Sequence, residues 1–336
     1  MKGWGEQFNG MKALVVGDVM IDSYTKGVVE RMSPEAPVPI LNAKEHFKRL
    51  GGAANVALNL KSLGAHPILC SIIGDDDAGK NLIKLMQEQD LDVSGLVSSN
   101  RRKTTVKHRI LDGNKQLVRI DEEDTFELNE MEYVILSQVF KQTLERNHVD
   151  VIVLQDYNKG VLTENLINRI IAAANEKGIP VVVDPKKKNF FTYHDVTLFK
   201  PNVKELREGL GVKAETPEEL KQAMLVLQQK LHCQQLMVTL SEQGLMMLST
   251  DSNEEAQDQP CQRFHHIPAI PRNIVDVSGA GDTVLSVAAL SVARKLDPII
   301  IATLSNIAGG LVCEEAGAVP IDTKKLMEEV HRLCHD

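Results

Sequence analysis

The sequence predicts an α/β protein: a three-layer αβα sandwich around a mostly parallel sheet, with a small extra β-sheet. Three observations predict it. Short runs rich in Val, Ile and Leu recur along the chain. Each ends in a polar residue or glycine, and a helical apolar period follows it. Two segments then break that rhythm with prolines and with strict alternation. Strands that alternate with helices are covered on both faces and run parallel.

In chain order, residues 13–16 lead to Gly17-Asp18, and residues 68–73 lead to Gly74-Asp75. Residues 151–154 lead to Gln155-Asp156, and 181–183 to Asp184. Residues 197–199 lead to Lys200-Pro201-Asn202, and 236–238 to Thr239. Ligands of parallel sheets bind outside the carboxyl ends of the strands, so Asp18, Asp75, Asp156, Asp184, Asn202 and Thr239 form a candidate binding rim. Some need be no more than helix N-caps. Residues 23–50 contain Ser33-Pro34-Glu35-Ala36-Pro37-Val38-Pro39, which cannot be helical. Residues 103–121 alternate, with Val106, His108 and Ile110 opposite Lys107 and Arg109, and Asp112-Gly113-Asn114 makes a turn. The two segments, about 19–50 and 103–121, are read as a lid inserted in one domain of residues 1–336. An exposed sheet face of that kind favours a homodimer through the lid. Residues 251–262 read as a polar surface loop, and 323–336 as a closing amphipathic helix.

The formal net charge of −8 offers no basic surface, so neither nucleic acid nor a membrane is an expected partner. Five scattered cysteines without a C-x-x-C pair fit reduced thiols in the cytoplasm. Residues 1–10 are mixed and polar, unlike a signal peptide, and no apolar stretch is long enough to span a membrane.

The strongest chemical signal is Asp276-Val277-Ser278-Gly279-Ala280-Gly281-Asp282-Thr283, followed by a helical apolar period. A helix start bares N–H groups, and small residues let an anion reach them. Asp282 beside that anion is placed to take a proton from an attacking hydroxyl. Capping alone explains an Asp there, but not Gly-Ala-Gly before it. Gly51-Gly52-Ala53-Ala54-Asn55 opens another small-residue helix, where Asn55 suits a sugar hydroxyl. It lacks the third glycine of a dinucleotide fingerprint. Gly74 to Asn81 nearly matches a P-loop, but three carboxylates fill the cradle, so an acidic helix start is the better reading. Asn202 and Glu205 share a helix face and suit either a water-held Mg²⁺ or a capping box, the latter favoured on local sequence. Lys186 follows a strand end, where it can steady phosphate. His331, Cys334 and His335 read as a polar helix end rather than a metal site.

Together, Gly51-Gly52-Ala53-Ala54-Asn55 and Asp276 to Asp282 resemble the ribokinase-like (PfkB) carbohydrate kinase family over nearly the whole chain. Within it, Gly17-Asp18-Val19-Met20-Ile21-Asp22, the proline string 33–39, Asp156-Tyr157-Asn158-Lys159-Gly160 and Asp184-Pro185-Lys186 resemble the heptose 7-phosphate kinases. The chain departs from them at Ser23 (often Arg), at Gln155 (a small residue), at Ser278 (Thr) and in a longer loop 251–262.

The resemblance implies ATP-dependent phosphorylation of the anomeric hydroxyl of a heptose 7-phosphate, for ADP-heptose and lipopolysaccharide core synthesis. It makes Asp282 the catalytic base and Gly279, Ala280 and Gly281 the anion hole. Asn202, Val203, Lys204, Glu205, Thr239 and Gly244 would bind the nucleotide, with Glu205 reaching Mg²⁺ through water. Asp18, Asp22, Gly51, Gly52, Asn55 and Asp156 would bind the sugar. Lys107, Arg109 and Lys186 are the candidates for its phosphate. ATP and Mg²⁺ are the implied cofactors, with a monovalent cation left open. No H-x-G-H motif occurs, so adenylyl transfer is expected from a separate adenylyltransferase. Alternatives are a kinase of the same fold for a fructose phosphate, a ribose-like sugar or a nucleoside, and a sensor without turnover.

Overall fold

The computed structural model describes residues 5–251 and 261–333. The chain begins with β1 (Lys12–Gly17), β2 (Val19–Met32), β3 (Pro39–Gly52), α1 (Ala53–Ser62), β4 (His66–Gly74), α2 (Asp77–Glu88) and β5 (Leu96–Ser99). It continues through β6 (Thr105–Asp112), β7 (Lys115–Glu122), α3 (Glu130–Arg146), β8 (Val151–Gln155), α4 (Glu164–Lys177) and β9 (Val181–Asp184). Then come β10 (Leu198–Phe199), α5 (Val203–Leu210), α6 (Pro217–Leu231), β11 (Gln235–Thr239), β12 (Leu245–Asp251) and β13 (Cys261–Ile267). Helices α7 (Ala280–Ala293), α8 (Pro298–Val312) and α9 (Thr323–Leu333) complete it.

The main sheet has the order β13-β12-β11-β10-β9-β8-β1-β4-β5. From β11 to β5 every pairing is parallel, while β12 and β13 run antiparallel at one edge. In β1, Ala13 and Val15 enter one core while Leu14 and Val16 enter the other. Both faces are therefore apolar, as a covered parallel strand requires. Helices α1, α2, α7, α8 and α9 close the first core, and α3, α4, α5 and α6 close the second. This is the α/β sandwich that the alternation predicts.

Two differences from the sequence reading concern the sheet edges. Asp251, Cys261 and Gln262 belong to β12 and β13 rather than to a loop, because the antiparallel pairing of the two backbones runs on to Asp251 and Cys261 whatever the polarity of the residues. Residues 252–260 of that predicted loop lie outside the described residues, as do Cys334 and His335. Strand β5 has only two apolar residues, too few for a periodic signal.

The second sheet has the order β3-β2-β6-β7. Its hairpin β6–β7 turns at Gly113, where φ is +59°. Met20, Asp22 and Tyr24 pair across strands with Gly51, Arg49 and Phe47, and with Thr105, Lys107 and Arg109. That face is polar and cationic. Elsewhere the lid leaves Val28, Met32, Val38, Val118 and Ile120 exposed. Among the described residues, no helix is long and apolar enough to cross a membrane.

Candidate active site

The two small-residue segments meet above the strand ends. Asn55, in the first turn of α1, donates from Nδ2 to Asp282 Oδ2 at 2.7 Å, joining residues 227 positions apart. One turn on, Thr283 Oγ1 donates to Asn59 Oδ1 at 3.0 Å, and Asn59 donates to the Asn55 carbonyl at 2.9 Å. These buried amide bonds fix the starts of α1 and α7 against each other. Gly279 caps α7 at φ +81°, and a Cβ there would lie 2.9 Å from Asn55 Nδ2. Only glycine permits that approach.

Asp282 is buried, and its carboxylate takes two further donors, Tyr157 Oη at 2.9 Å and Gln155 Nε2 at 3.3 Å. Burial pushes its carboxyl up to about 7, with Asp184 and Asp22 adding to the rise and the bonds from Asn55 and Tyr157 opposing it. An aspartate poised there can work as a base near neutral pH.

No side chain caps α7, so the positive end of its dipole stays available. The Ala280 N–H makes a long bond to the Val277 carbonyl, 3.3 Å. Gly281 is exposed, and a Cβ there would meet nothing nearer than Asp184 Oδ2 at 3.8 Å and Lys200 Nζ at 4.0 Å. Beside the helix start lies a gap bordered by one carboxylate and one ammonium. Buried Asp184 sits between Lys200 Nζ at 3.0 Å and Lys186 Nζ at 3.3 Å. Burial would raise its carboxyl, but Lys186 and Lys200 outweigh that and hold it below the ordinary value.

Asn202 and Glu205 form a reciprocal capping box with both bonds at 2.8 Å, the reading favoured on local sequence. The other Glu205 oxygen meets Lys186 Nζ at 2.5 Å. Lys186 is thus held beside Asp184 and Glu205, away from the lid cations with which it was grouped. The Asp184 and Glu205 carboxylates are hard oxygen donors, and they suit a Mg²⁺ ion held mainly by waters and phosphates. Thr239 bridges Asn202 through the backbone. Gly244 has φ +90°, and a Cβ there would strike the Ile267 carbonyl at 2.1 Å. Val203 packs on the second core, while Lys204 is exposed and pairs with Glu208.

Among the expected sugar contacts, Asp22 lies under the lid, ion-paired with Arg109. Arg109 stacks over the Tyr24 ring, 5.4 Å from its centroid. A Cβ on Gly51 would sit 2.6 Å from Asp22 Oδ2, and one on Gly52 would sit 2.4 Å from the Asp18 carbonyl. Asp18 itself accepts backbone N–H bonds from Tyr157, Lys159 and Val161 at 2.8, 3.0 and 3.1 Å. Burial and neighbouring Asp156 raise its carboxyl to about 6. Asp156 accepts from Asn158 N, Asn189 and Tyr193. Both aspartates therefore shape the turn after β8. Lys107 bonds Asp121 and Glu123 within the lid.

Four residues stand at the site without having been singled out in sequence for a role: Lys200, Tyr157, Gln155 and Arg49. Lys200 carries the one signal that was readable, a charge at a buried strand end. Arg49 bonds the Ala318 carbonyl at 3.2 Å, beside the Asp276–Gly317 contact, and faces the same space as Arg109.

A buried proton acceptor, unshielded helix N–H groups and paired lysines suit the movement of a phosphoryl group onto an alcohol, and they sit on an α/β fold under a β lid. The chain belongs to the pfkB family of carbohydrate kinases, whose description matches residues 11–324. It is a sugar kinase of that family, and such kinases in general use ATP and Mg²⁺. Among curated relatives, "Bifunctional protein HldE" of Mesorhizobium japonicum is 36% identical over 97% of this chain. The protein of the same name from a Caulobacter strain is 38% identical over 96%. The chain spans 63% and 64% of the lengths of those relatives. Escherichia coli phosphofructokinase-2, solved in complex with potassium, superposes with TM-score 0.77 at 20% identity, covering 96% of this chain and all of that one. Arabidopsis thaliana ribokinase, solved with ribose and ATP, gives 0.70 at 17%, covering 95% and 99%. At those identities the likeness concerns the fold.

Proposed function

We propose that the chain phosphorylates the anomeric hydroxyl of a heptose 7-phosphate, giving the 1,7-bisphosphate, in the cytoplasm. The observation that carries this reading is the buried Asp282–Asn55 contact beneath a lid face bearing Arg49 and Arg109. The base serves any sugar kinase, whereas guanidinium groups facing the polyol suit a sugar already phosphorylated, because the planar fork matches phosphate oxygens. The relatives named HldE support the heptose assignment.

In this mechanism Asp282 takes the proton of the sugar hydroxyl. The N–H groups at the start of α7, those of Gly279, Ala280 and Gly281, meet the oxygens of the moving phosphoryl group, where its charge is concentrated. Lys200 and Lys186 offset charge on the nucleotide side, near Asn202, Glu205, Thr239 and Gly244. Asp184 and Glu205 would hold a Mg²⁺ ion by way of water, and it would supply positive charge to the nucleotide phosphates. Lid closure excludes water that would otherwise take the phosphoryl group. A monovalent cation and a dimer through the exposed lid residues belong to the same reading. A downstream adenylyltransferase would consume the 1-phosphate.

A coupled ADP-release assay tests it with heptose 7-phosphate, unphosphorylated heptose, fructose 6-phosphate, ribose and a nucleoside. Turnover confined to heptose 7-phosphate supports the proposal. Preference for another sugar assigns a different member of the family, and no ADP release with any of them points to a sensor. Sedimentation that gives a monomer would remove the lid dimer.

A further inference from the structure

The site contains one buried group that this chemistry leaves unused. Gln155 ends β8, in register with Gly17 of β1 and Asp184 of β9, and is fully buried. Its Nε2 donates to Asp282 Oδ1, while its Oε1 is buried with no hydrogen-bond partner. An orphaned amide oxygen in a core lowers stability, and a methionine of similar volume would fill the place without it. The amide makes one side-chain hydrogen bond among the described residues, and that bond is to the base.

Tyr157 Oη donates to the same oxygen at 2.9 Å. A carboxylate oxygen has two lone pairs. Oδ1 is therefore filled by Gln155 and Tyr157, whereas Oδ2, which among the described residues holds only the Asn55 donor, keeps one lone pair. We infer that Gln155, acting with Tyr157, is a positioning residue that saturates Asp282 Oδ1 and leaves Oδ2 alone to receive the proton of the sugar hydroxyl. This rests on the kinase reading above. In the step it serves, the hydroxyl proton passes to Oδ2 and the sugar oxygen bonds to the γ-phosphorus. The bond from that phosphorus to the β–γ bridging oxygen breaks, and its electron pair leaves with ADP.

The groups facing Asp282 are Asp22 from β2, Tyr157 from the turn after β8 and Asp184 from β9, the last paired with Lys200 and Lys186. Burial, with Asp282 and Asp184 beside it, pushes the Tyr157 hydroxyl well above its usual value, so it remains a donor across the working pH range. Donors to the charged carboxylate favour ionisation, so losing one raises the pH at which Asp282 ionises.

The test compares Gln155→Met, Tyr157→Phe and wild type by three measurements. They are the thermal melt, the pH dependence of kcat/KM for ADP release, and the ¹³C titration of the Asp282 carboxyl, assigned with Asp282→Asn. Gln155→Met is expected to melt no lower than wild type. Its acidic limb and its carboxyl titration should both move up by about one pH unit. Turnover should recover at alkaline pH, with the KM for ATP unchanged. Tyr157→Phe should move both in the same direction. A Gln155→Met protein that melts lower while limb and titration stay in place would overturn the inference, because the amide would then serve packing alone. A titration that shifts, in a protein whose wild type turns over no sugar, would instead overturn the kinase reading and leave the hydrogen-bond placement standing.

Discussion

Replacing Asp282 with asparagine removes the proton acceptor at nearly constant shape, and it separates the two things this carboxyl does. General base catalysis contributes roughly 10²–10⁴-fold, so kcat should fall by at least that factor while ATP still binds. The stability effect has the opposite sign. The carboxyl is raised from 3.8 to about 7 in the fold. A group whose folded value lies above its unfolded value loses its contribution as pH rises through the folded one. Wild type therefore loses stability between about pH 4 and pH 7. From pH 5 to pH 8 the loss corresponds to roughly two pKa units, on the order of 3 kcal/mol. The Asp282→Asn side chain carries no such dependence, and Asp18, raised in the same direction, cancels because both proteins contain it. Urea unfolding of the two proteins at pH 5 and pH 8 measures the difference. The variant should gain on wild type by roughly 3 kcal/mol at most between the two conditions, from a starting point lowered by the Asn55 amide, which then faces an amide. A gap that does not change with pH, or near-wild-type turnover, refutes the reasoning.

Other perturbations probe the surrounding groups. Gly281→Ala places a methyl in open space near Asp184 and Lys200, so its melting temperature should hold or rise while kcat falls about tenfold or more. Unchanged kcat would empty that gap of its role. Lys200→Met leaves the buried Asp184 carboxylate with Lys186 alone and should lower unfolding free energy by about 3–5 kcal/mol. Adding Asp184→Asn should restore stability but not turnover, and a single variant as stable as wild type would count against the pairing. Arg49→Ala and Arg109→Ala should each raise KM for the phosphorylated sugar by roughly 10–100-fold with KM for ATP unchanged. Equal effects on both substrates would place these arginines elsewhere in the cycle.

The sequence made the layers of the fold readable because both cores depend on one alternation, seen in Ala13 and Val15 against Leu14 and Val16. The two glycine-bearing helix starts marked close approach, since glycine does so whatever the partner, but they did not reveal that Asn55 meets Asp282. Partner choice was less readable. Lys186, Glu205 and Asp184 lie within one ion-paired cluster, and no spacing rule reveals which cation two carboxylates will share. Asp18 and Asp156 look like ligand groups in sequence, yet their oxygens accept backbone and side-chain donors of the turn after β8. Gln155 showed in sequence only as a departure from the resembled kinases, because its meaning lies in an atom 127 positions away.

Strand β2 leaves the sheet one residue after β1 ends, and β3 returns directly into Gly52, the cap of α1. The lid thus has no slack linker. Its two 14-residue strands are paired along their length, with irregular steps at Lys26/Gly27 and Val29/Arg31. At about 3.3 Å per residue they form a stiff lever ~45 Å long, with a fulcrum at Asp18 and Gly52. Arg109, the proposed contact for the substrate phosphate, pairs from β6 with Tyr24 on that lever. The short arm is the first turn of α1, which carries the Asn55 amide held against Asp282. Arg109 and the Asn55 amide are therefore joined through paired strands and the start of α1, with no loop between them.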